Sequence, residues 1–395
     1  MIKSIAVFAC ALLSTASATA VDLRPRAPAA WSNFNDNGVF YPAENYTSWR
    51  TLYARTLQLP DQSILLSWED YDPNVDIAYW PVYKSTDGSA SFKPLSRVQD
   101  QVNGWGVWYQ PNFYTLPQAI GAYPKGTILI AGASTPRNLS HAYIDVYAST
   151  DSGSTWSFVS HVVYGDGPET ITNDNKAVWE PFLMVYNNQL VCYYSTQTDP
   201  KHAQKLSHKT TSDLRTWSAQ PNYGDRPGMT TVAYSPKSKK YVMTFEYCGG
   251  PIAGEACCTV TDKHQVSDSP LTFGSEQPAP IIPSNGNLNP NGSPYVVWTA
   301  NPSSTAGDGV FIANGNSREE VFVNTDAADP NGWKPVNVGQ WSAYSRSLRI
   351  IDTPQNSAAG GKKKLLIANG GNIGCSGSCY NFVATGLVDI PSYPS

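Results

Sequence analysis

The sequence predicts an all-β protein, a six-bladed β-propeller whose blades are four-stranded antiparallel sheets. Three observations predict it. The chain of 395 residues carries 30 Gly and 30 Pro but only 15% charged residues, a composition of short strands and tight turns rather than long amphipathic helices. An apolar run, a turn and a returning apolar run occur six times at a spacing of about 50–65 residues, which suits propeller blades and is too long for a solenoid. Finally, Ser149-Thr150-Asp151-Ser152-Gly153-Ser154-Thr155-Trp156 reads as a hairpin turn. Its Asp accepts backbone N–H bonds, its Gly takes the left-handed dihedral and its Trp packs beneath.

Taken in order, residues 1–20 read as an export signal. Lys3 supplies positive charge, Ile5 to Leu13 form an apolar core and Ala18-Thr19-Ala20 fit a cleavage site. That run is too short to span a bilayer, so residues 21–395 are expected to be secreted and to form one propeller domain. Residues 21–48 read as an extended lead-in, because Pro25, Pro28 and Pro42 oppose helix. The first hairpin is Arg50 to Leu59 with Ser63 to Trp68, and the second Tyr109 to Leu116 with Thr127 to Ala131. The third is Glu180 to Tyr186 with Gln189 to Tyr194, and the fourth Thr230 to Tyr234 with Lys240 to Phe245. Tyr295 to Ala300 with Val310 to Ala313 make the fifth, and Arg346 to Asp352 with Lys364 to Ala368 the sixth. Ser85-Thr86-Asp87-Gly88 and Thr211 to Trp217 are decayed copies of the Asp151 turn. The Asp of such a turn lies at the outer rim of a blade, so Asp151 is structural.

Without Cys10 of the signal, six cysteines remain, an even number that suggests disulfides in an oxidising compartment. The local candidates are Cys375 with Cys379, and Cys248 with Cys257 or Cys258. Asn45 and Asn138 head glycosylation sequons of a secreted protein, and Asn291 heads a weaker one before Pro294. The net charge of -4 gives no electrostatic reason to expect nucleic acid or an anionic membrane. No metal or organic cofactor is expected, and a monomer is the default.

Superposed in register, the hairpins place the starts of their first strands and the ends of their second strands at one mouth. Glu69, Glu180 and Glu246 meet there. Two carboxylates flanking a bond are what glycoside hydrolysis needs, one to protonate the leaving oxygen and one to attack or to activate water. Trp179, Phe245 and Tyr247 stand beside them in sequence and would desolvate the pair. Carboxyl groups about 5 Å apart would indicate a retaining reaction, and more than about 6.5 Å an inverting one. Arg50, Glu69, Tyr109, Gln110, Trp179, Tyr194, Thr230 and Arg346 are the expected substrate-binding residues at this mouth.

The Asp151 turn, Trp179-Glu180-Pro181, Phe245-Glu246-Tyr247 and Ala343-Tyr344-Ser345-Arg346-Ser347-Leu348 give the chain a resemblance. It resembles the sialidase superfamily of six-bladed propellers and, more narrowly, the secreted fungal exo-1,5-α-L-arabinanases of glycoside hydrolase family 93. The similarity covers essentially all of the chain after the signal. It implies a retaining double displacement on linear α-1,5-arabinan that releases arabinobiose from the non-reducing end. The two catalytic glutamates would fall on Glu180, expected as acid/base, and Glu246, expected as nucleophile. Tyr344 matches the place of the nucleophilic tyrosine of true sialidases, and is expected here to hydrogen-bond the nucleophile. True sialidases hold a carboxylated sugar with three arginines. Arg50 and Arg346 take plausible places, but no third matches, which points to a neutral sugar.

Two other readings compete with this one. A non-catalytic lectin would repeat equivalent aromatic and amide residues in every blade. Another propeller glycosidase, a sialidase or an inverting arabinanase, would need a third arginine or a third acid such as Glu69.

Overall fold

In the computed structural model the described residues are 27–46, 49–166, 176–198, 204–219, 222–223, 227–248, 260–273, 278–281, 290–304, 306–373 and 380–393. They form six four-stranded antiparallel sheets, the propeller that the sequence predicts. The first strand, β1 (Phe34–Phe40), belongs to the last blade. Blade I is β2 (Thr51–Gln58), β3 (Ile64–Asp70), β4 (Tyr79–Ser85) and β5 (Lys93–Gln99). Blade II is β6 (Val107–Thr115), β7 (Ile128–Ser134), β8 (Ala142–Ser149) and β9 (Ser157–Gly165). Blade III is β10 (Val178–Tyr186), β11 (Gln189–Thr196), β12 (Lys205–Thr211) and β13 (Asn222–Tyr223). Blade IV is β14 (Pro227–Ser235), β15 (Lys240–Cys248), β16 (Val260–Ser267) and β17 (Ala279–Pro280). Blade V is β18 (Tyr295–Ala300), β19 (Gly309–Asn314), β20 (Val321–Thr325) and β21 (Lys334–Val336). Blade VI is β22 (Ser347–Asp352), β23 (Lys363–Asn369), β24 (Val383–Asp389) and β1.

Each of the six expected hairpins is thus the first pair of strands of one blade. The innermost strands β2, β6, β10, β14, β18 and β22 touch in that order, and β22 returns to β2. They enclose an axial cavity of about 470 Å³. Second strands are covered by a blade on either side, so β3 and β7 are buried at every residue, and each opens on an apolar run before polar residues at the mouth. Blades pack through large rings. Trp80 of blade I is fully buried and lies over Gly132 of blade II, where an added Cβ would sit 2.2 Å from the indole. Burying such a ring contributes roughly 2 kcal/mol or more, and any side chain at Gly132 would forfeit it.

The lead-in reading of residues 21–48 needs one correction. Phe34–Phe40 is the outer strand of blade VI, paired with β24 from Phe34↔Leu387 to Phe40↔Val383. The last blade has only three strands of its own, and the free edge of β24 is completed by the start of the chain.

The Asp151 turn joins β8 to β9 as expected. Asp151 accepts from the Thr155 N–H (2.9 Å) and hydroxyl (2.6 Å), Ser149 Oγ accepts from the Gly153 N–H (2.9 Å), and Gly153 has φ +85°. The Trp156 indole then donates to Ser96 of the preceding blade at 3.1 Å. The copy at Asp213 does the same, with Trp217 donating to Ser160 at 3.0 Å. Leu214 carries its left-handed turn at φ +64°, a strained place for a branched residue. These turns therefore rivet neighbouring blades together. Cys192 is a buried free thiol. The Cys248 side chain and Cys257, Cys258, Cys375 and Cys379 lie outside the described residues, and so do the expected pairings and the export signal.

Candidate active site

At the face where the innermost strands begin, each blade carries one residue in the left-handed conformation. These are Tyr53, Gln110, Glu180, Met229, Ser293 and Ser345, with φ between 49° and 64°, and all six are buried. In blades I to IV the residue is a β-bulge, with register slips between Leu52 and Arg55, Tyr109 and Asn112, Trp179 and Phe182, and Gly228 and Thr231. Holding a non-glycine residue there costs about 1–2 kcal/mol. The bulge takes that side chain out of the pleat and re-aims it.

Three carboxylates meet this ring, and the backbone holds each in the same manner. The N–H of Gln110 donates to Glu69 Oε1 at 2.8 Å, that of Met229 to Glu180 Oε2 at 3.0 Å, and that of Ser293 to Glu246 Oε2 at 3.2 Å. Every one of these donors is the left-handed residue of the next blade. Side chains add to the hold. The Tyr71 hydroxyl donates to Glu69 (2.8 Å), Ser195 to Glu180 (2.6 Å) and the Gln204 amide to Glu246 (3.2 Å). Gln110 also accepts from the Glu180 N–H at 3.3 Å. The Ser293 hydroxyl lies 3.4 Å from Met229 Sδ, so Met229 and Ser293 join the seats of Glu180 and Glu246.

Burial raises Glu246 above the usual carboxylate range, against the pull of the Gln204 amide and the Ser293 N–H. Tyr344 is raised well above an ordinary phenol by burial first, then by Glu180, Tyr53, Glu246 and Glu69. It therefore stays protonated near neutrality and can donate a hydrogen bond, but it is not poised to attack as a phenolate. Its hydroxyl lies 3.6 Å from Met229 Sδ, and its ring meets that of Tyr53 edge-on at 5.9 Å. Asp70, beside Glu69, is pushed up to about 7 by burial, while a hydrogen bond from Tyr46 opposes the rise.

Of the expected residues, the structure brings Glu69, Glu180, Glu246, Tyr344 and Gln110 together. Gln110 is buried as a clamp on two glutamates rather than standing open to a ligand. Tyr109 stays half-buried against Tyr71 at 6.3 Å, and Trp179 is buried. Arg50 lies on the Tyr380 ring, 4.1 Å from its centroid, and donates to the Ala43 carbonyl.

Three expected binding residues are corrected. Tyr194 is buried in the core between blades II and III. Strand alternation sends Ser195, not Tyr194, to Glu180, and by the same alternation Phe245 is core beside Glu246. Thr230 caps its own hairpin through the Thr244 carbonyl at 2.9 Å, because the bulge gives the site position to Met229. Arg346 is fully buried, and its guanidinium donates to the carbonyls of Glu319, Glu320, Gln340 and Trp341 at 2.9–3.1 Å. Arg346→Met should therefore cost about 3 kcal/mol or more in a urea titration, because it leaves buried carbonyls unpartnered. Turnover per folded molecule should hardly change, and a selective loss of substrate affinity would refute this structural role.

Sequence reasoning did not single out Tyr53 or Gln204, and it gave Met229, Ser195 and Ser293 no role. Gly228 before Met229 is the one signal of a bulge that was available.

No family model matches the chain, and no curated protein matches it. Solved structures do. The chain is 39% identical to the GH93 α-L-arabinofuranosidase of Fusarium graminearum, solved with arabinobiose, with a TM-score of 0.82 over 91% of this chain and 98% of that one. It is 33% identical to an α-L-arabinanase of Penicillium chrysogenum, also solved with arabinobiose, with a TM-score of 0.81 over 91% and 98% of the two chains. A Hadza microbial sialidase, 12% identical with a TM-score of 0.55 over 90% of this chain and 68% of that one, shares the fold alone.

Proposed function

The chain belongs to glycoside hydrolase family 93, and from that premise we propose that it is a secreted, retaining exo-α-1,5-L-arabinanase. It would release arabinobiose from the non-reducing end of linear arabinan. The observation that carries the reading is the pair Glu180 and Glu246, seated side by side through Met229 and Ser293.

Burial favours the protonated form of Glu246, which suits a general acid. Glu180 is held by a hydroxyl and an N–H on one oxygen, and to it we assign the attack. These assignments reverse the roles expected from sequence. Glu180 Oε attacks the anomeric carbon as Glu246 gives its proton to the departing O5, leaving a glycosyl ester on Glu180. Glu246, now a carboxylate, takes a proton from water, which attacks the same carbon and frees Glu180. Two inversions give net retention. Tyr344, kept neutral, is available as a donor beside Glu180.

The ring of left-handed residues carries Tyr, Gln, Glu, Met and two Ser in its six places, an asymmetry that disfavours a repeated lectin site. The test is the product formed from debranched α-1,5-arabinan, followed at the anomeric proton by NMR from the first minutes. Arabinobiose appearing first as the α anomer is expected. Mixed longer oligomers, inverted anomers or no release would overturn the proposal.

A further inference from the structure

A series of rings leaves the mouth at Glu69 and crosses the top of blade II. Tyr71, which donates to Glu69, meets Tyr109 at 6.3 Å, and Tyr109 meets Trp108 at 6.3 Å. The Trp108 indole donates to the Trp105 carbonyl at 3.3 Å, and the Trp105 ring lies within 15° of parallel to Tyr143 at 5.5 Å. Tyr143 in turn meets Tyr164 at 4.9 Å. Residues paired in register set the direction, running Val107, Ser134, Tyr143 and Tyr164 across β6 to β9. Four strands at about 4.8 Å spacing give a path of about 14 Å from the innermost strand to the blade edge.

Packing leaves part of each of these side chains exposed. Tyr71, Trp105, Trp108, Tyr109 and Tyr143 are all half-buried, and Tyr164 is 41% exposed. The loop that presents Trp105 is rigidly set. Asp100 accepts from the N–H groups of Val102, Asn103, Trp105 and Gly106 at 2.7–3.0 Å, and these bonds hold its carboxyl below the usual range despite partial burial. His161 stacks on Tyr143 at 4.1 Å and is anchored to Asp145 at 2.7 Å. Of the eight large apolar side chains most exposed among the described residues, only Tyr234 ends its strand on the opposite face. Fixed, half-open aromatics contiguous with a catalytic mouth mark a ligand path.

We propose that this series is a track for the part of a neutral polysaccharide chain that extends beyond the cleaved bond, its sugar C–H faces resting on Trp105 and Tyr143. The inference rests on the arabinanase reading for the identity of the sugar. A second aromatic group, Trp341 with Phe382 and Tyr41 on blade VI, is the alternative exit on the same face. It makes no ring contact with Tyr53, Tyr71, Tyr109 or Tyr344 among the described residues, so the blade II path is favoured.

The experiment compares Trp105→Ala, Tyr143→Ala and Trp341→Ala in the full chain on debranched arabinan and on arabinotriose. The two blade II variants should raise KM for the polymer about tenfold and leave kcat/KM for the trisaccharide within about twofold. Equal losses on both substrates would show a packing role and overturn the track. So would an unchanged polymer KM, or an effect confined to Trp341→Ala. If the unaltered enzyme cleaves no arabinan, the arabinanase reading fails by itself. The track is then read by affinity electrophoresis through arabinan, galactan and xylan gels. Retardation that Trp105→Ala abolishes supports it, and no retardation in any gel overturns it.

Discussion

Glu180→Gln should lower kcat on linear arabinan by roughly 10³–10⁴-fold while the protein stays folded. An amide nearly matches the carboxylate in shape, so Ser195 and the Met229 N–H keep a neighbour of the same size. What is lost is the negative charge that attacks the anomeric carbon, a contribution worth several orders of magnitude in rate. Removing a buried charge also removes its desolvation cost, so the thermal midpoint should hold or rise. Retention of more than about a tenth of the turnover would end the case for Glu180 as nucleophile. Azide sharpens the test. In a Glu180→Gly variant it would displace an aryl leaving group directly and give the inverted β-azide.

Glu246→Ala should behave differently from Glu180→Gln, although kcat on arabinan falls comparably, by about 10²–10⁴-fold. An aryl arabinofuranoside with an acidic leaving group needs little protonation, so its first step should survive and the glycosyl-enzyme should accumulate. Azide would then attack that ester and yield the retained α-azide. A β-azide from this variant would return the roles to the sequence expectation. The pH profile carries the same information. Burial makes Glu246 hold its proton above the usual carboxylate range, so the alkaline limb of kcat/KM should lie above about pH 4.3. An unfolded chain ionises this glutamate earlier than the folded one. Its contribution to folding is therefore complete below the ordinary value and is lost as pH rises through the raised one. Glu246→Gln should flatten that decline in a series of thermal melts.

The fold was legible because its repeating unit is local. An apolar run, a turn and a return are readable at six places, and the Asp151 turn shows where outer hairpins close. The strand at Phe34–Phe40 was not legible, since Asn35, Asp36, Asn37 and Gly38 make a poor strand and its partner lies at the other end of the chain. Outer strands such as β13 and β17, two residues each, carry no periodicity to read.

At the site, the three glutamates were found because strand ends fall at one face whatever the detail of register. Met229 was given no role because a bulge adds one residue and so exchanges the two faces of a strand. That exchange is why Met229 stands where Thr230 was expected. Gln204 lies just before a strand, where pattern says nothing. Arg346 was assigned from its position at the mouth, but a side chain that long reaches the seam between blades V and VI.

The pairing of β1 with β24 has a consequence for how the molecule comes into being. Asn33 bonds Asp389 across 356 positions of sequence, so the contact waits until all the blades between them have left the ribosome. Folding dominated by such distant pairings is slow, and until it ends β24 offers an unpaired edge to any other chain nearby. The wall of the candidate site draws on the first and last blades, with Tyr53 and Glu69 from the first and Tyr344 from the approach to the last. A truncated or nascent chain would therefore be not merely less stable but without a complete centre. Activity should emerge in refolding only with the latest kinetic phase.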